Sequence, residues 1–438
     1  MSIPSAKRRP PSRRRGAARW WTFALLGVTA VAVAIVVTLR GGDDVPPPAL
    51  SYEELTGSVF VPPAQGPFRA PRVRELKLPP FAGAQSIWGA TGRDFRGHIW
   101  VGVSTTGAGS SARLFAYDPA TEAWTDHGSV VDRLRETGLA RAGVGQNKIH
   151  SKIVPAADGW LYFASTDEEG ESAQGDVPPR WGGHLWRIHP DRHVWQHLLA
   201  TPEGLVAVSG VGRHVYALGY WGHVLHQFDT HTGQSRRVVV GSTAGHVSRN
   251  FLADLRGHAY VPRLRARADG AVTASLVEYD AELREVGETP LAHYLGRESP
   301  QANHGIVGLA YLPDGNLLFT THVGHLYRIE PRAEGPARVT SLGPWPAQAP
   351  AYAPSLFALG GRGWVAGVIH ARGGFQWAAA EPSTGVASAF PLELRGLEKV
   401  LLYGSVSRDN AGRAYVGGWA ANGLGGQRPL LLQLDLGG

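Results

Sequence analysis

The sequence predicts an all-β protein folded as a seven-bladed β-propeller, and two observations lead to this prediction. The first is a unit that recurs about every 50 residues, in which an apolar run, a glycine turn and an aromatic-rich run follow one another. The second is the alternation of apolar and polar residues with a period of two, which excludes helical repeats. The seven turn glycines are Gly97, Gly159, Gly212, Gly257, Gly315, Gly363 and Gly412.

Two further runs complete most of these units. A third strand follows the aromatic-rich run, as in "RLFAYDPAT" (113–121) and "HLYRIEPR" (325–332). A less regular fourth run, such as "VWQHLLA" (194–200), closes the unit. Four antiparallel strands repeated at this interval are typical of propeller blades, and seven units predict seven blades.

The last unit ends after its third strand, "LLLQLDL" (430–436), and so lacks an outer strand. The run "RVRELKLP" (72–79) lies before the first unit and alternates like a strand. We expect it to supply the outer strand of the seventh blade, because a strand shared between the two ends of the chain removes a free sheet edge. The predicted propeller therefore spans residues 72–438.

One third-strand sequence carries a family resemblance. "FAYDPATEAW" (115–124) resembles the third-strand motif of kelch and quinoprotein repeats, which belong to the superfamily of seven-bladed β-propellers. At the level of architecture, the chain also resembles exported propeller polysaccharide lyases. The resemblance implies the fold and leaves the function to be argued from the site.

The net charge of +7 resides in the N-terminal region. Residues 1–40 contain eight basic and no acidic residues, which leaves 35 basic and 36 acidic residues in the remainder. A nearly neutral body gives no bulk support for phosphate neutralisation, so nucleic acid is not an expected partner.

Residues 20–39, "WWTFALLGVTAVAVAIVVTL", form an uncharged run long enough to span a membrane. We predict an uncleaved transmembrane signal-anchor there, a basic cytoplasmic tail at 1–19, and a periplasmic or extracellular location for the rest. Signal cleavage after residues 32–34 ("AVA") is the alternative. Residues 40–71 are Pro-rich and predict a stalk, and deletion of residues 45–65 is not expected to lower the melting temperature strongly.

Histidines and cationic residues fall at the starts of first strands and at the turns between second and third strands. Antiparallel pairing places both kinds of position at one face of the ring, where a propeller forms a funnel around its central channel. The residues predicted to bind a ligand are Lys148, Lys152, His223, His246, Arg249, His370 and Arg372. Those predicted to be catalytic are His150, Tyr220 and His304, and those predicted to bind a metal are His322 and His325.

These residue types leave two functions open. A funnel rich in His, Arg and Lys favours binding of an anionic ligand, either an anionic polysaccharide or an envelope protein. The alternative is a polysaccharide lyase or another carbohydrate-active enzyme, since β-elimination needs a cation, a base and an acid. Arg249 or Lys152 would supply the cation, His150 or His304 the base, and Tyr220 or His223 the acid.

Two further interpretations concern the same histidines. Imidazoles also suit a divalent metal such as Mn²⁺ or Zn²⁺, which would assist either function. The chain has no cysteine, which excludes thiolate ligands and cysteine nucleophiles. The Gly-His pairs that end in His184, His223 and His325 repeat from blade to blade, which is also typical of a structural role.

Overall fold

The computed structural model describes residues 50–437, except 173–176, 221, 244, 298, 347–349 and 405–406. Seven antiparallel sheets in this part of the chain confirm the seven-bladed propeller. Blade 1 comprises strands β2 to β6, blade 2 β7 to β10, blade 3 β11 to β14, blade 4 β15 to β18, blade 5 β19 to β22, blade 6 β23 to β26, and blade 7 β27 to β29 with β1.

The strands are β1 Arg72–Leu76, β2 Ala84–Ser86, β3 Thr91–Arg93, β4 Ile99–Thr105, β5 Arg113–Asp118, β6 Ala123–Ser129, β7 Val154–Pro155, β8 Leu161–Thr166, β9 Gly183–Ile188, β10 Trp195–Thr201, β11 Leu205–Val211, β12 His214–Gly219, β13 Val224–Asp229, β14 Ser235–Val239, β15 Leu252–Ala253, β16 Ala259–Ala266, β17 Val272–Tyr279, β18 Glu285–Pro290, β19 Ile306–Tyr311, β20 Leu317–Thr321, β21 His325–Glu330, β22 Arg338–Pro344, β23 Phe357–Ala358, β24 Val365–Ala371, β25 Gly374–Glu381, β26 Val386–Pro391, β27 Leu401–Gly404, β28 Ala414–Ala421 and β29 Gln427–Asp435. Two short helices are α1 Tyr52–Thr56 and α2 Val130–Glu136.

The first strand of each blade lies innermost, and inner strands of neighbouring blades contact one another, as β11 does with β7 and β15. Blade 1 differs because β2 and β3 both pair with β4. Helix α2, which the sequence did not predict, follows β6 and buries Val130, Val131 and Leu134. It covers the core between the first two blades.

The predicted closure of the ring is confirmed. Strand β1 pairs antiparallel with β29 throughout, from Arg72 opposite Asp435 to Leu76 opposite Leu431. The outer strand of the seventh blade therefore comes from the N-terminal side of the chain, as the missing fourth strand of the last unit required.

The glycine turns between first and second strands are also confirmed. All seven predicted glycines have positive φ, between 76° and 89°, a region that other residues rarely adopt. At several of these turns an aspartate three residues earlier caps the loop. Asp409, for example, accepts hydrogen bonds from the Ala411 and Arg413 amides and from the Tyr415 hydroxyl. The aspartate thus fixes the turn to the second strand of its blade.

The predicted cytoplasmic tail (1–19), the signal-anchor (20–39) and the first part of the stalk (40–49) lie outside the described residues. Among residues that the structure does describe, no helix is long and apolar enough to cross a membrane. The anchor therefore stays a prediction from the sequence.

Residues 50–71, the second part of the predicted stalk, pack against the ring. Residues 50–61, here called the crossing segment, lie at the face of the glycine turns. Helix α1 contacts inner strands β7 and β11, and the carbonyls of Val59 and Val61 accept hydrogen bonds from Arg408 in blade 7, at 2.5 and 2.8 Å. The segment also lines a cavity of about 20 Å³ against β19 and β23, enough for one water molecule. It therefore crosses the channel at this face.

Proline content reports only on local chain stiffness, so it did not predict that residues 50–61 pack against the ring. What holds the crossing segment is Arg408, which is 2% exposed and also donates to the Gly412 carbonyl at 2.9 Å. Burial lowers the pKa of this guanidinium to about 10. A buried cation needs its acceptors, so the segment and the ring stabilise each other.

A chain that begins at residue 68 retains β1 but loses the crossing segment. We expect it to be about 2 to 4 kcal/mol less stable in urea unfolding than a chain that begins at residue 50, because Arg408 loses two charged hydrogen bonds. The control is the same truncation with Arg408→Met, in which the cost should shrink. An equal cost in both backgrounds would show that Arg408 does not hold the segment.

Candidate functional site

Seven side chains, one from each blade, surround the channel at the face opposite the crossing segment. Each lies at the start of the inner strand of its blade. In most blades the residue before it is buried, and the residue after it is small or polar. We call this set the mouth ring. Its members, in blade order, are Trp88, His150, Val206, Arg249, His304, Tyr352 and Tyr403.

Contacts between neighbouring blades connect much of this ring. The rings of Trp88 and Tyr403 pack at 4.4 Å between centroids, which joins blade 1 to blade 7. The His150 ring lies parallel to Trp88 at 6.4 Å and hydrogen-bonds through Nδ1 to the Val206 carbonyl at 3.0 Å. Blades 7, 1, 2 and 3 thus form one side of the mouth, which is largely aromatic.

Arg249 reaches across the mouth from blade 4. Its guanidinium lies 5.1 Å from the ring centroid of Tyr403 in blade 7, and its Nη2 donates to His304 Nε2 at 3.3 Å. Since blades 4 and 7 are not neighbours, this side chain spans the opening. Among the described residues, no carboxylate lies within salt-bridge distance of Arg249 (4.0 Å or less).

The hydrogen bonds of His304 define its tautomer. Arginine can only donate, so Nε2 is the accepting nitrogen, and Nδ1 carries the proton that it donates to the Tyr352 hydroxyl at 3.0 Å. The Tyr352 oxygen thus accepts, and its own proton is available to a ligand. The His304 amide donates to His322 Nδ1 at 3.0 Å, which places His322 directly behind the mouth ring.

His150 offers the complementary group. Its Nδ1 donates to a carbonyl, so Nε2 is an acceptor. No described residue hydrogen-bonds to that nitrogen. The mouth therefore presents a cation at Arg249, a hydroxyl donor at Tyr352, an imidazole acceptor at His150, and the aromatic faces of Trp88 and Tyr403.

The imidazoles of the ring are neutral at physiological pH. Burial, with the nearby Arg249, lowers the pKa of both His150 and His304 to about 3. Burial also lowers the pKa of His370 and raises those of Tyr352 and Tyr403. The positive charge at the mouth thus comes from Arg249 and from lysine, and histidine supplies neutral hydrogen-bonding groups.

Two predicted lysines lie near His150 in different surroundings. Lys148 Nζ forms an ion pair with Glu168 and lies 5.5 Å from the Trp88 ring centroid. Lys152, two residues beyond His150, is 8% exposed and has no hydrogen-bond or ion-pair partner among the residues described. Burial lowers its pKa to about 8.

Three other predicted residues are buried in the protein away from any open surface. His223 is fully buried, donates from Nδ1 to the Pro262 carbonyl at 2.8 Å, and accepts at Nε2 from the Ser248 amide at 3.3 Å. His246 is equally buried against Tyr294. Tyr220 is 3% exposed and hydrogen-bonds to Glu171 in the long insertion of blade 2. A ligand at the mouth does not reach these groups in this structure.

The predicted metal ligands point to different surroundings. His322 contacts His304 of the mouth ring, whereas His325 hydrogen-bonds to Ser341 at 2.7 Å and stacks on His293 at 4.1 Å. One nitrogen of each imidazole is thus engaged in a separate contact, His322 Nδ1 with a backbone amide and His325 Nε2 with Ser341. The described residues contain no group of three or more His, Asp or Glu side chains arranged to hold a metal ion.

His370 and Arg372 lie at the end of β24 in blade 6. His370 Nε2 donates to the Leu402 carbonyl at 3.1 Å, and its ring lies 5.1 Å from that of Tyr352. Arg372 is exposed on the adjacent turn, beside a groove of about 470 Å³. The structure thus places His370 in the wall of the mouth and Arg372 beyond it.

The sequence identified three members of the mouth ring as site residues: His150, Arg249 and His304. It missed Tyr352 and Tyr403, because tyrosine in a strand is ordinary. The signal that would have found them is positional: the stretches IWGA, IHSK, NHGI, AYAP and LYGS align at the start of the inner strand, and the ring residue is always the second letter.

Comparisons with known proteins give similar solved structures and no family. No sequence-family model and no curated protein matches the chain. The solved structure of U3-55K is similar over 84% of this chain and 100% of its own, with 10% identity and a TM-score of 0.48. A nidogen/laminin complex is similar over 67% of this chain and 92% of its own, with 11% identity and a TM-score of 0.37.

Proposed function

We propose that the protein binds an anionic saccharide at the mouth ring. The observation that carries this proposal is Arg249, a cation held across the channel mouth with no carboxylate partner among the described residues. A guanidinium without a counterion favours a ligand that brings a carboxylate, which it contacts through two parallel hydrogen bonds.

The neighbours of Arg249 support a sugar as the carrier of that carboxylate. Trp88 and Tyr403 provide aromatic rings beside Arg249, and aromatic rings suit contact with the apolar face of a sugar. Tyr352 donates and His150 Nε2 accepts, which matches the mixed character of sugar hydroxyls.

The setting of this activity is part of the proposal. The basic residues of 1–19 and the apolar run 20–39 support a membrane-anchored protein whose ring lies outside the membrane, in the periplasm or the extracellular space. Charged polysaccharides of the cell envelope and its surroundings are the ligands that such a location offers.

Arg249→Met should weaken binding of an oligogalacturonate by about 1 to 3 kcal/mol, the loss expected for one charge-assisted contact. This corresponds to an increase in Kd of about 5- to 150-fold in isothermal titration calorimetry. The wild-type affinity should also fall as salt rises, because the contact is ionic.

The matched control is Arg362→Met, which removes an exposed arginine at the opposite face. We expect it to bind like the wild type. If Arg249→Met and Arg362→Met bind equally well, Arg249 is not the anion contact and the proposal fails.

A second candidate function is β-elimination of the bound uronate. The chain from Arg249 to His304 to Tyr352 places a cation, an imidazole and a phenol in succession, at 3.3 and 3.0 Å. In this reaction a base takes the C5 proton, the C4–O bond breaks, and an acid protonates the leaving oxygen as the C4=C5 bond forms.

Two features make binding the better-supported function. His304 Nε2 already accepts from Arg249, and the lowered pKa of this imidazole makes it a weak base at neutral pH. Ultraviolet absorbance of the unsaturated product measures the reaction directly. Product formation by the wild type that is lost in Tyr352→Phe, with binding retained, would establish the lyase.

A further inference from the structure

Lys152 is a buried cation that no described residue neutralises. It lies on the innermost segment of blade 2, two residues after His150 and one before Ile153, which bridges to Gly92 of blade 1. Its side chain is 8% exposed, and no described residue accepts a hydrogen bond from it or forms an ion pair with it. Lysine is almost never buried to this extent unless it is paired.

Lys148, the other lysine of this region, differs from Lys152 in having a counterion. Lys148 stands four residues earlier and pairs with Glu168. Lys148 is half-buried and Lys152 is buried, so the more deeply buried of the two cations is the one without a described partner. Of these two lysines, Lys152 alone has no carboxylate partner among the described residues.

His150 links Lys152 to the mouth ring. Arg249, Lys148 and Lys152 all lie close enough to this imidazole for their charges to oppose its protonation. The acceptor nitrogen of His150 thus stands in the field of three cations, of which Lys148 pairs with Glu168 while Arg249 and Lys152 have no carboxylate partner among the described residues. The crossing segment lies across the other end of the channel, so a ligand enters from the mouth.

We propose that Lys152 is a second anion contact of the mouth site, so that the preferred ligand is a saccharide with at least two negative groups, bound by its end. This inference rests on the proposed function. Arg249 contacts the outer carboxylate, and Lys152 contacts the group that enters the channel. A chain of uronates or a dianionic sugar has this chemistry, and a neutral sugar does not.

The charge of Lys152 can be tested with two probes of one chemical class. Galacturonate carries one carboxylate and digalacturonate carries two. We expect the wild type to bind digalacturonate at least about tenfold more tightly, as one additional charged contact provides. Lys152→Met should lose this preference and keep its affinity for galacturonate, whereas Arg249→Met should lose affinity for both.

The control variant is Lys399→Met, which removes an exposed lysine and should bind both probes like the wild type. If the wild type binds neither probe, the proposed function itself fails. If the wild type binds both and Lys152→Met retains the preference, or loses galacturonate binding as well, the second contact is overturned and the proposed function remains.

A measurement on the intact side chain complements the variants. The chain has only five lysines, so ¹³C- and ¹⁵N-lysine labelling gives a spectrum simple enough to assign. Lys152 should titrate at about 8 in the free protein, and digalacturonate should raise that pKa because a bound anion favours the charged form. A Lys152 signal that does not respond to digalacturonate at saturation would contradict the contact.

Discussion

A chain that begins at residue 80 is expected to lose the cooperative unfolding transition that a chain beginning at residue 50 shows. The deletion removes β1, whose partner β29 carries fully buried leucines at 430, 431, 432 and 434. It also leaves the nine-residue strand β29 as an unpaired edge. An exposed apolar edge of this length favours aggregation over a closed ring.

The comparison with two other chains isolates the closure from the crossing segment. The chain 50–438 should unfold as the full-length protein does, and 68–438 should fold with reduced stability. Urea unfolding followed by tryptophan fluorescence and by light scattering reports both outcomes. If 80–438 unfolds at the same midpoint as 68–438, β1 contributes nothing to the stability of the fold, and the pairing of β1 with β29 does not hold the ring closed.

A disulfide provides the converse test. Val73 lies opposite Leu434 in the β1–β29 ladder, and directly opposed residues in an antiparallel pair are about 4.5 to 5.5 Å apart, within disulfide range. Because the chain has no cysteine, Val73→Cys with Leu434→Cys can form only this bond within one chain. Oxidation should stabilise 50–438 by several kcal/mol, since the bond closes a loop of most of the chain.

The fold was predictable because it rests on a local signal repeated seven times. Each glycine at a first-to-second-strand turn marks one blade, and the missing fourth strand of the last unit identifies where β1 belongs. The crossing segment was not predictable, since it depends on Arg408, which lies almost 350 positions further along the chain. Local composition contains no trace of such a partner.

The site was only partly predictable for a related reason. A mouth ring is defined by equivalent positions, yet its seven members differ in chemistry from blade to blade. His150 and Arg249 attract attention as residue types, whereas Tyr352 and Tyr403 do not. Conversely, His223 belongs to a repeated Gly-His pair, and its complete burial agrees with the structural interpretation of that repeat.

Acid should destabilise the protein between pH 6.5 and 5, well above the range in which carboxylates titrate. His223 and His246 are fully buried, their rings lie 5.3 Å apart, and burial lowers their pKa values to about 4 and about 3. In the unfolded chain both titrate at about 6.5. The unfolded state therefore binds more protons than the folded state between these values, so stability falls as pH falls.

The size of the effect follows from the same linkage. At pH 5 each neutral buried imidazole lowers the free energy of unfolding by about 2 kcal/mol relative to pH 8, because the unfolded state binds a proton that the folded state does not bind. The two together cost about 4 kcal/mol, and His150 and His304, whose pKa values burial lowers to about 3, add to the loss by the same linkage. Urea unfolding of 50–438 at pH 8, 6.5 and 5 measures the total loss of stability, which should be regained when the pH is raised again.

The variant His246→Gln separates this cause from general acid denaturation. It removes one titrating group and keeps a hydrogen-bonding side chain beside Tyr294 Oη, which contacts His246 Nε2 at 2.7 Å. The variant should be less stable at pH 8 but should lose about 2 kcal/mol less on going to pH 5. His231→Gln, at an exposed turn, should follow the wild-type profile. Equal pH slopes for all three proteins would mean that His246 does not stay neutral in the fold, and that the acid sensitivity arises elsewhere.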